Sequence, residues 1–255
     1  MNHTQIELGT ILFTLVEPHR GHEVEYNRWY ERDHFYAGCL IGPGILAGKR
    51  WVATRPYKDL RYPAESPITG AADRGSYLAT YWVDKSMQDE WGTWGARQVK
   101  ALHKAGRMFG ERDHVHTKLY RYLGGAFRDE DGVPPELALD HGYGGLVAVF
   151  GEVPEGEDPA AVADRLPPLE GSAAMRLSFR PVPIPDDAPP DIPRVKEDRF
   201  RFLHLYFVDR DPAEVWGDEF AGMEKELEVA GATLLWAGPF IPTIPGTDTY
   251  ADQLW

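Results

Sequence analysis

The sequence predicts an α+β fold: two ferredoxin-like β-α-β-β-α-β modules in one chain, packed sheet to sheet as a pseudo-dimeric α+β barrel. Three observations predict it. The hydrophobic period alternates between strand-like and helix-like spacing in the same order in both halves. A stretch at 124–144 that holds Pro134 and Pro135 separates the halves. Finally, a β-α-β-β-α-β sheet carries helices on one face only, so two such sheets can cover each other's bare faces and enclose a cavity between them.

Taken in order, residues 8–17 are a β-rich apolar run closed by Pro18. Residues 21–40 place Val24, Trp29 or Arg28, Phe35 and Cys39 on one helical face, and Gly42-Pro43-Gly44 stops that helix. Strands are expected at 45–54 and 77–83, on either side of a Pro- and Gly-rich insertion at 55–75. A long helix follows at 86–109 and a strand at 114–123. The second half repeats the order: strand 146–153, short helix 159–166, strand 174–182, an acidic Pro-rich loop at 183–198, strand 200–209, helix 212–230 and strand 232–240. Pro212 in its first turn and Gly231 past its end are the residues expected at the two ends of that last helix. The domain reading is therefore residues 1–125 for the first module, 126–143 for a linker and 144–255 for the second.

With 255 residues, 43% hydrophobic and 26% charged, the chain has an ordinary globular composition. Its 27 Lys and Arg against 40 Asp and Glu leave a net charge of −13, which would repel a phosphate backbone, so nucleic acid is excluded as a partner. No apolar run approaches the roughly 20 residues of a membrane-spanning helix, and the first seven residues show no secretory pattern, so a cytoplasmic location is expected. The single cysteine, Cys39, can form no internal disulfide and sits at an apolar helix end, which reads as core. No Gly-rich phosphate loop joins a strand to a helix, so nucleotide cofactors are disfavoured.

The run Glu25-Tyr26-Asn27-Arg28-Trp29-Tyr30-Glu31-Arg32-Asp33-His34, followed by Gly42-Pro43-Gly44 and the basic strand Lys49-Arg50-Trp51, resembles the first helix and second strand of the dimeric α+β barrel superfamily, particularly its EthD-like members. That resemblance covers about 30 residues. It implies a ligand cavity inside the barrel, a polar cluster near the end of the first helix, and small-molecule chemistry that ranges from cyclases and lyases to oxygenases and heme enzymes. This chain departs from it by carrying both modules covalently and by lacking the Trp-Tyr-x-x-x-His helix in its second half. One working cavity, owned by the first half, is therefore expected, and a homodimer of the fused pair is left open.

Tyr30 and His34 lie four apart on a helix, on one face, where they can share a proton or a substrate oxygen. In the strand His114-Val115-His116-Thr117-Lys118-Leu119-Tyr120, the two-residue period sends His114, His116, Lys118 and Tyr120 to one face, assigned to the barrel interior, and the others under the helices. By the same reasoning His204 and Tyr206, with Phe202, are assigned to the cavity, as are Arg176 and Arg180. The function expected is cofactor-independent proton transfer, of lyase, isomerase or cyclase type, on an aromatic or polyketide-like small molecule. His34, Tyr30 and His116 are the catalytic candidates; His114, Tyr120, His204, Tyr206, Arg176 and Trp29 are the substrate-binding ones. The alternatives are a monooxygenase, either cofactor-free or using iron on His114, His116 and His204, or heme, and a module that only binds a small ligand.

Overall fold

The computed structural model describes residues 6–182 and 199–255; the loop expected at 183–198 and residues 1–5 lie outside the described residues. The first half runs β1 (Leu8–Pro18), α1 (Glu23–Trp29), β2 (Ile45–Val52), α2 (Arg55–Lys58), β3 (Glu65–Ser66), β4 (Gly70–Ala71), β5 (Tyr77–Asp84), α3 (Gln88–Lys104) and β6 (Arg112–Phe127). The second runs β7 (Gly145–Glu152), α4 (Ala160–Arg165), β8 (Ala173–Pro181), β9 (Arg201–Val208), α5 (Pro212–Val215), α6 (Met223–Val229) and β10 (Thr233–Pro242). Strands β6-β1-β5-β2 form one ferredoxin-like sheet and β10-β7-β9-β8 the other, and the two join edge to edge into a closed eight-stranded barrel. The seams are unequal. β6 pairs with β8 from Tyr120 opposite Pro181 to Phe127 opposite Met175, whereas β2 meets β10 only at Val52–Ile241 and Trp51–Pro242.

The barrel interior is a packed core, which corrects the expected cavity between the sheets. Phe13, Phe150 and Trp236 interlock at 5.5 and 6.0 Å between ring centroids, and Trp51, Trp82 and Phe207 do so at 6.2 Å. All six are completely or almost completely buried. An eight-stranded barrel is only about wide enough for side chains to fill, and aromatic rings on facing strands take that space. Both ends are closed as well. Trp236 Nε1 donates to the Ala72 carbonyl of the 55–75 insertion (3.2 Å), and Trp82 Nε1 donates to the Pro135 carbonyl of the inter-module segment (2.8 Å), whose Ala138, Leu139 and Tyr143 pack on the core.

The helices cover the outer faces. α1 passes directly into a π-helical stretch, Tyr30–Leu40, where Ile41 N–H reaches back five residues to the Tyr36 carbonyl (3.2 Å). The helix expected at 212–230 is likewise broken, into α5, a π-helical turn Trp216–Phe220 and α6. α3 stops at Lys104, earlier than expected, and Gly106 takes the left-handed backbone (φ +66°) that ends it. The carboxyl-terminal tail crosses α1: Asn27 Nδ2 donates to the Thr247 carbonyl (2.9 Å), Arg28 pairs with Asp248, and Leu254 is fully buried. No helix among the described residues is long and apolar enough to cross a membrane.

Candidate functional site

Antiparallel register sets three rows of side chains on the outer face of the first sheet, beneath α1 and its π-helical extension. Across β6-β1-β5-β2 they are His114–Val16–Tyr77–Val52, Thr117–Thr14–Ala79–Arg50 and Leu119–Leu12–Tyr81–Gly48. Ala79, Thr14 and Gly48 are small, so the long polar side chains around them lie over the sheet. Arg50 is 7% exposed and lies between two rings, with its Cζ 5.0 Å from the Tyr30 centroid and 5.3 Å from that of Tyr77. Its Nη1 donates to Asn27 Oδ1 (2.9 Å), while Nη2 and the neighbouring Tyr77 hydroxyl are buried with no partner. Tyr30 and Tyr81 share a hydrogen bond between their hydroxyls (3.0 Å), and burial raises both well above the ordinary phenol range. Burial also pushes the nearby Cys39 thiol up to about 12, which makes it a core residue and not a nucleophile.

An outer cleft of about 720 Å³ opens at one edge of this seam, lined by Arg74, His103, Phe109, Arg112 and His114 among others. His114 Nδ1 meets Thr117 Oγ1 (2.8 Å), which meets Thr14 Oγ1 (2.8 Å), so a hydrogen-bonded chain runs from the cleft to the buried middle row. His34 stacks on Trp29 at 4.5 Å, Trp29 stacks on Phe109 at 5.6 Å, and the His34 ring lies 5.4 Å from that of Tyr30. Gly38 makes room for that imidazole, because a Cβ there would come within 2.8 Å of His34 Cε1.

The structure brings Tyr30, His34, Trp29 and His114 to this side of the sheet and sends the other predicted residues elsewhere. His116 and Tyr120 do point into the barrel, where His116 Nε2 and the Tyr120 hydroxyl are 2.6 Å apart among Phe13 and Phe150. His34, Tyr30 and His116 therefore do not form one constellation. His114, expected beside His116, is on the opposite face, because a bulge between Leu15 and Val16 shifts the register: His116 pairs with Leu15 and His114 with Val16, leaving Val115 against the barrel core.

His204, Tyr206 and Arg176 also face the helices instead of the barrel. Met175, Leu177, Phe179, Leu203, Leu205 and Phe207 fill the interior, while Phe202 and Tyr206 pack with Trp216, Phe220 and Met223. Arg180, the other arginine assigned to the cavity, is exposed. Both faces of these strands are buried, so alternation fixes which residues go together but not which layer they meet. The structure does not bring His114, His116 and His204 to one metal: they occupy three separate spaces, and the described residues hold no cluster of three metal-ligating side chains. Nor do these three fit an axial heme position. His114 has contacts at both ring nitrogens, His116 is enclosed in the core, and the His204 ring lies between Phe202 (4.6 Å) and Tyr206 (6.4 Å).

The residues that sequence reasoning missed are Arg50, Tyr77 and Tyr81. Their signal was present as a cation and two phenols inside strands that a closed barrel buries on both faces.

No model of a known protein family matches the sequence, and no curated protein matches it. Solved structures do share the fold. An anthrone oxidase-like protein superposes with a TM-score of 0.53 at 8% identity, over 95% of each chain. The encapsulated DyP-type peroxidase from Mycobacterium smegmatis gives 0.50 at 12% identity, over 99% of this chain and 96% of its own. A dye-decolorizing peroxidase from Bacteroides thetaiotaomicron gives 0.50 at 9%, over 98% and 96%. At such identities the likeness establishes the architecture, a two-module α+β barrel in one chain, and leaves the chemistry to the site.

Proposed function

We propose that the chain is a cofactor-independent enzyme of the lyase or isomerase kind, moving a proton on an aromatic or polyketide-like small molecule at the helix–sheet seam of the first module. The observation that carries this reading is the pair of buried, unpartnered donors, Arg50 Nη2 and the Tyr77 hydroxyl. Buried polar groups are nearly always paired, and two donors side by side fit an oxygen that becomes negative during reaction. In the proposed step the substrate's carbonyl oxygen accepts from Arg50 and Tyr77. The adjacent carbon's proton passes to the His34 imidazole, and the electron pair of the broken C–H bond moves onto that oxygen as an enolate. Return of the proton to another atom, or departure of a leaving group, completes an isomerisation or an elimination. Trp29, Phe109 and Arg112 would hold the substrate's ring and its outer oxygens at the cleft. The EthD-like reading of the Glu25–His34 helix belongs to this proposal.

An anthrone is a direct probe: an acidic hydrogen of its methylene, which lies across the central ring from the carbonyl and is conjugated with it, leaves as a proton to give the negatively charged oxygen of the enolate. In D₂O the protein should accelerate exchange of that hydrogen, read by ¹H NMR, and Arg50→Gln and His34→Ala should each slow it by about 10²-fold. Exchange no faster than in buffer with the wild-type protein would remove the proposal. A cofactor-free monooxygenase begins with the same enolate at the same two donors, and oxygen uptake during the incubation would distinguish it. A protein that merely binds the anthrone, with exchange unchanged by His34→Ala, would be a carrier.

A further inference from the structure

We propose that the second module holds its own small-molecule site, which takes a monocarboxylate with an apolar body and lies between the outer face of β8 and β9 and the helical cover above them. It does not rest on the reading of the first module.

A cleft of about 440 Å³ opens there, lined by Pro167, Arg176, Tyr206, Phe220, Met223 and Glu226 among others. Arg176 is 4% exposed. Its Nη2 donates to the Ala163 carbonyl (2.9 Å) and its Nη1 to that of Pro167 (3.5 Å), its Cζ lies 5.9 Å from the Tyr206 ring, and Nε has no partner. Arg176 thus brings a full positive charge into the seam with carbonyls and a ring for company and no paired carboxylate. Glu226 in the same cleft acts on Arg176 through its charge but makes no ion pair with it, and a bound carboxylate is the group that would complete the bonding left open at the buried Nε.

Two further observations point the same way. Ser178, two residues along β8, and His204, its register partner on β9, are 3% and 1% exposed, and neither Ser178 Oγ nor either His204 ring nitrogen has a partner. Four unpartnered polar atoms therefore share one face of two neighbouring strands, directly beside Tyr206 in the cleft wall. Burial, with Arg176 nearby, holds the His204 pKa down to about 3, so the neutral ring offers one donor and one acceptor. The facing walls, Phe220, Met223 and Pro167, are apolar. Asp218, Glu219, Glu226 and Glu170 line the same cleft. Glu219 is engaged by the Ser172 amide (3.1 Å) and hydroxyl (2.7 Å), and burial raises the Glu226 carboxyl. That acidic rim opposes every anion, phosphates and dicarboxylates most strongly, so the ligand that fits carries one carboxylate for Arg176 and no further negative charge, with or without an ammonium group facing the rim.

The test uses the full chain with ¹³C-methyl-labelled methionines, because Met223 lines this cleft and Met108 lines that of the first module. Titration with 4-fluorophenylacetate should shift the Met223 methyl signal, assigned with Met223→Leu, saturably below about 10 mM and leave Met108 in place. Arg176→Gln should weaken binding at least about tenfold. Should that variant fail to fold, 4-fluorophenylacetamide decides on the wild-type protein: the uncharged amide should bind at least about tenfold more weakly than the acid, and equal affinity would overturn the proposal. 4-Fluorophenylalanine identifies the source. Tighter binding than the acid that is lost in Glu226→Gln would indicate an amino acid, and weaker binding a simple acid. No shift at Met223 with either probe overturns the proposal, as does a shift confined to Met108. Failure of the anthrone exchange with Met223 binding intact would remove only the first-module reading.

Discussion

His116 and His204 are neutral imidazoles inside a folded protein, and that has a consequence for stability. Burial, aided by Lys118 and Arg201 near the first and by Arg176 near the second, holds both pKa values down to about 3. Once unfolded, each ring takes up a proton near its ordinary value of about 6.5, so the unfolded chain binds more protons than the native one throughout the window between. Stability is then full above about pH 6.5 and is lost as the pH falls toward 3, by about 2 kcal/mol per histidine between pH 6.5 and 5. Urea unfolding at pH 7 and pH 5 should show this fall, and His204→Leu should remove its share of the slope; an unfolding midpoint indifferent to pH would mean that both rings charge in the native state. Sequence alone picked out both rings as buried polar groups, since each sits in an alternating apolar strand. Arg50 stood in the basic strand of the family resemblance without being assigned to the site, because a cation in a strand looks solvent-facing until the sheet is covered on both sides.

At the scale of elements, the site depends on two local irregularities. The π-helical stretch after α1 carries His34 onto Trp29, and the bulge opposite Leu15 and Val16 turns His114 toward the cleft. Gly38 is the permissive position in the first. Alanine is usually about 1 kcal/mol better than glycine inside a helix, yet here its methyl would meet the imidazole at 2.8 Å. Gly38→Ala should therefore gain no thermal stability and should move the His34 Cε1 proton downfield in ¹H NMR, as the ring leaves the face of Trp29. An unmoved signal with a higher melting temperature would show that His34 is not held by this contact. The strands were legible from their period because each one alternates. The bulge and the π-helix were not, since one extra residue in a ladder and one wider helical turn leave the composition of the segment unchanged.

At the scale of the molecule, neither sheet can stay exposed on its inner face. Phe13, Trp51, Trp82 and Tyr120 of the first module are buried against Phe150, Phe179, Phe207 and Trp236 of the second. Residues 6–127 expressed alone should therefore self-associate or precipitate, as judged by size-exclusion chromatography; a folded monomer would show that the first sheet can do without cover. Trp236→Ala, which empties the centre of that interface, should cost about 3 to 5 kcal/mol in urea unfolding. The segment joining the modules and the 55–75 insertion also belong to this scale. Both read as loops, yet they plug the barrel ends with Tyr143 and Ala72.

The order of elements, their duplication and the need for two sheets to cover each other were determined by the sequence itself, because hydrophobic period and chain punctuation are local properties. So was the pairing of residues that share a face, which follows from the two-residue repeat of a strand. The direction of each face was decided only by the tertiary structure. In a barrel clothed by helices both sides of most strands are largely buried, and the choice falls to whichever set of side chains fills the narrow interior. Here mostly bulky apolar side chains, joined by His116 and Tyr120, took that space, leaving Arg50, His114, Arg176 and His204 under the helices, where the two proposed sites lie.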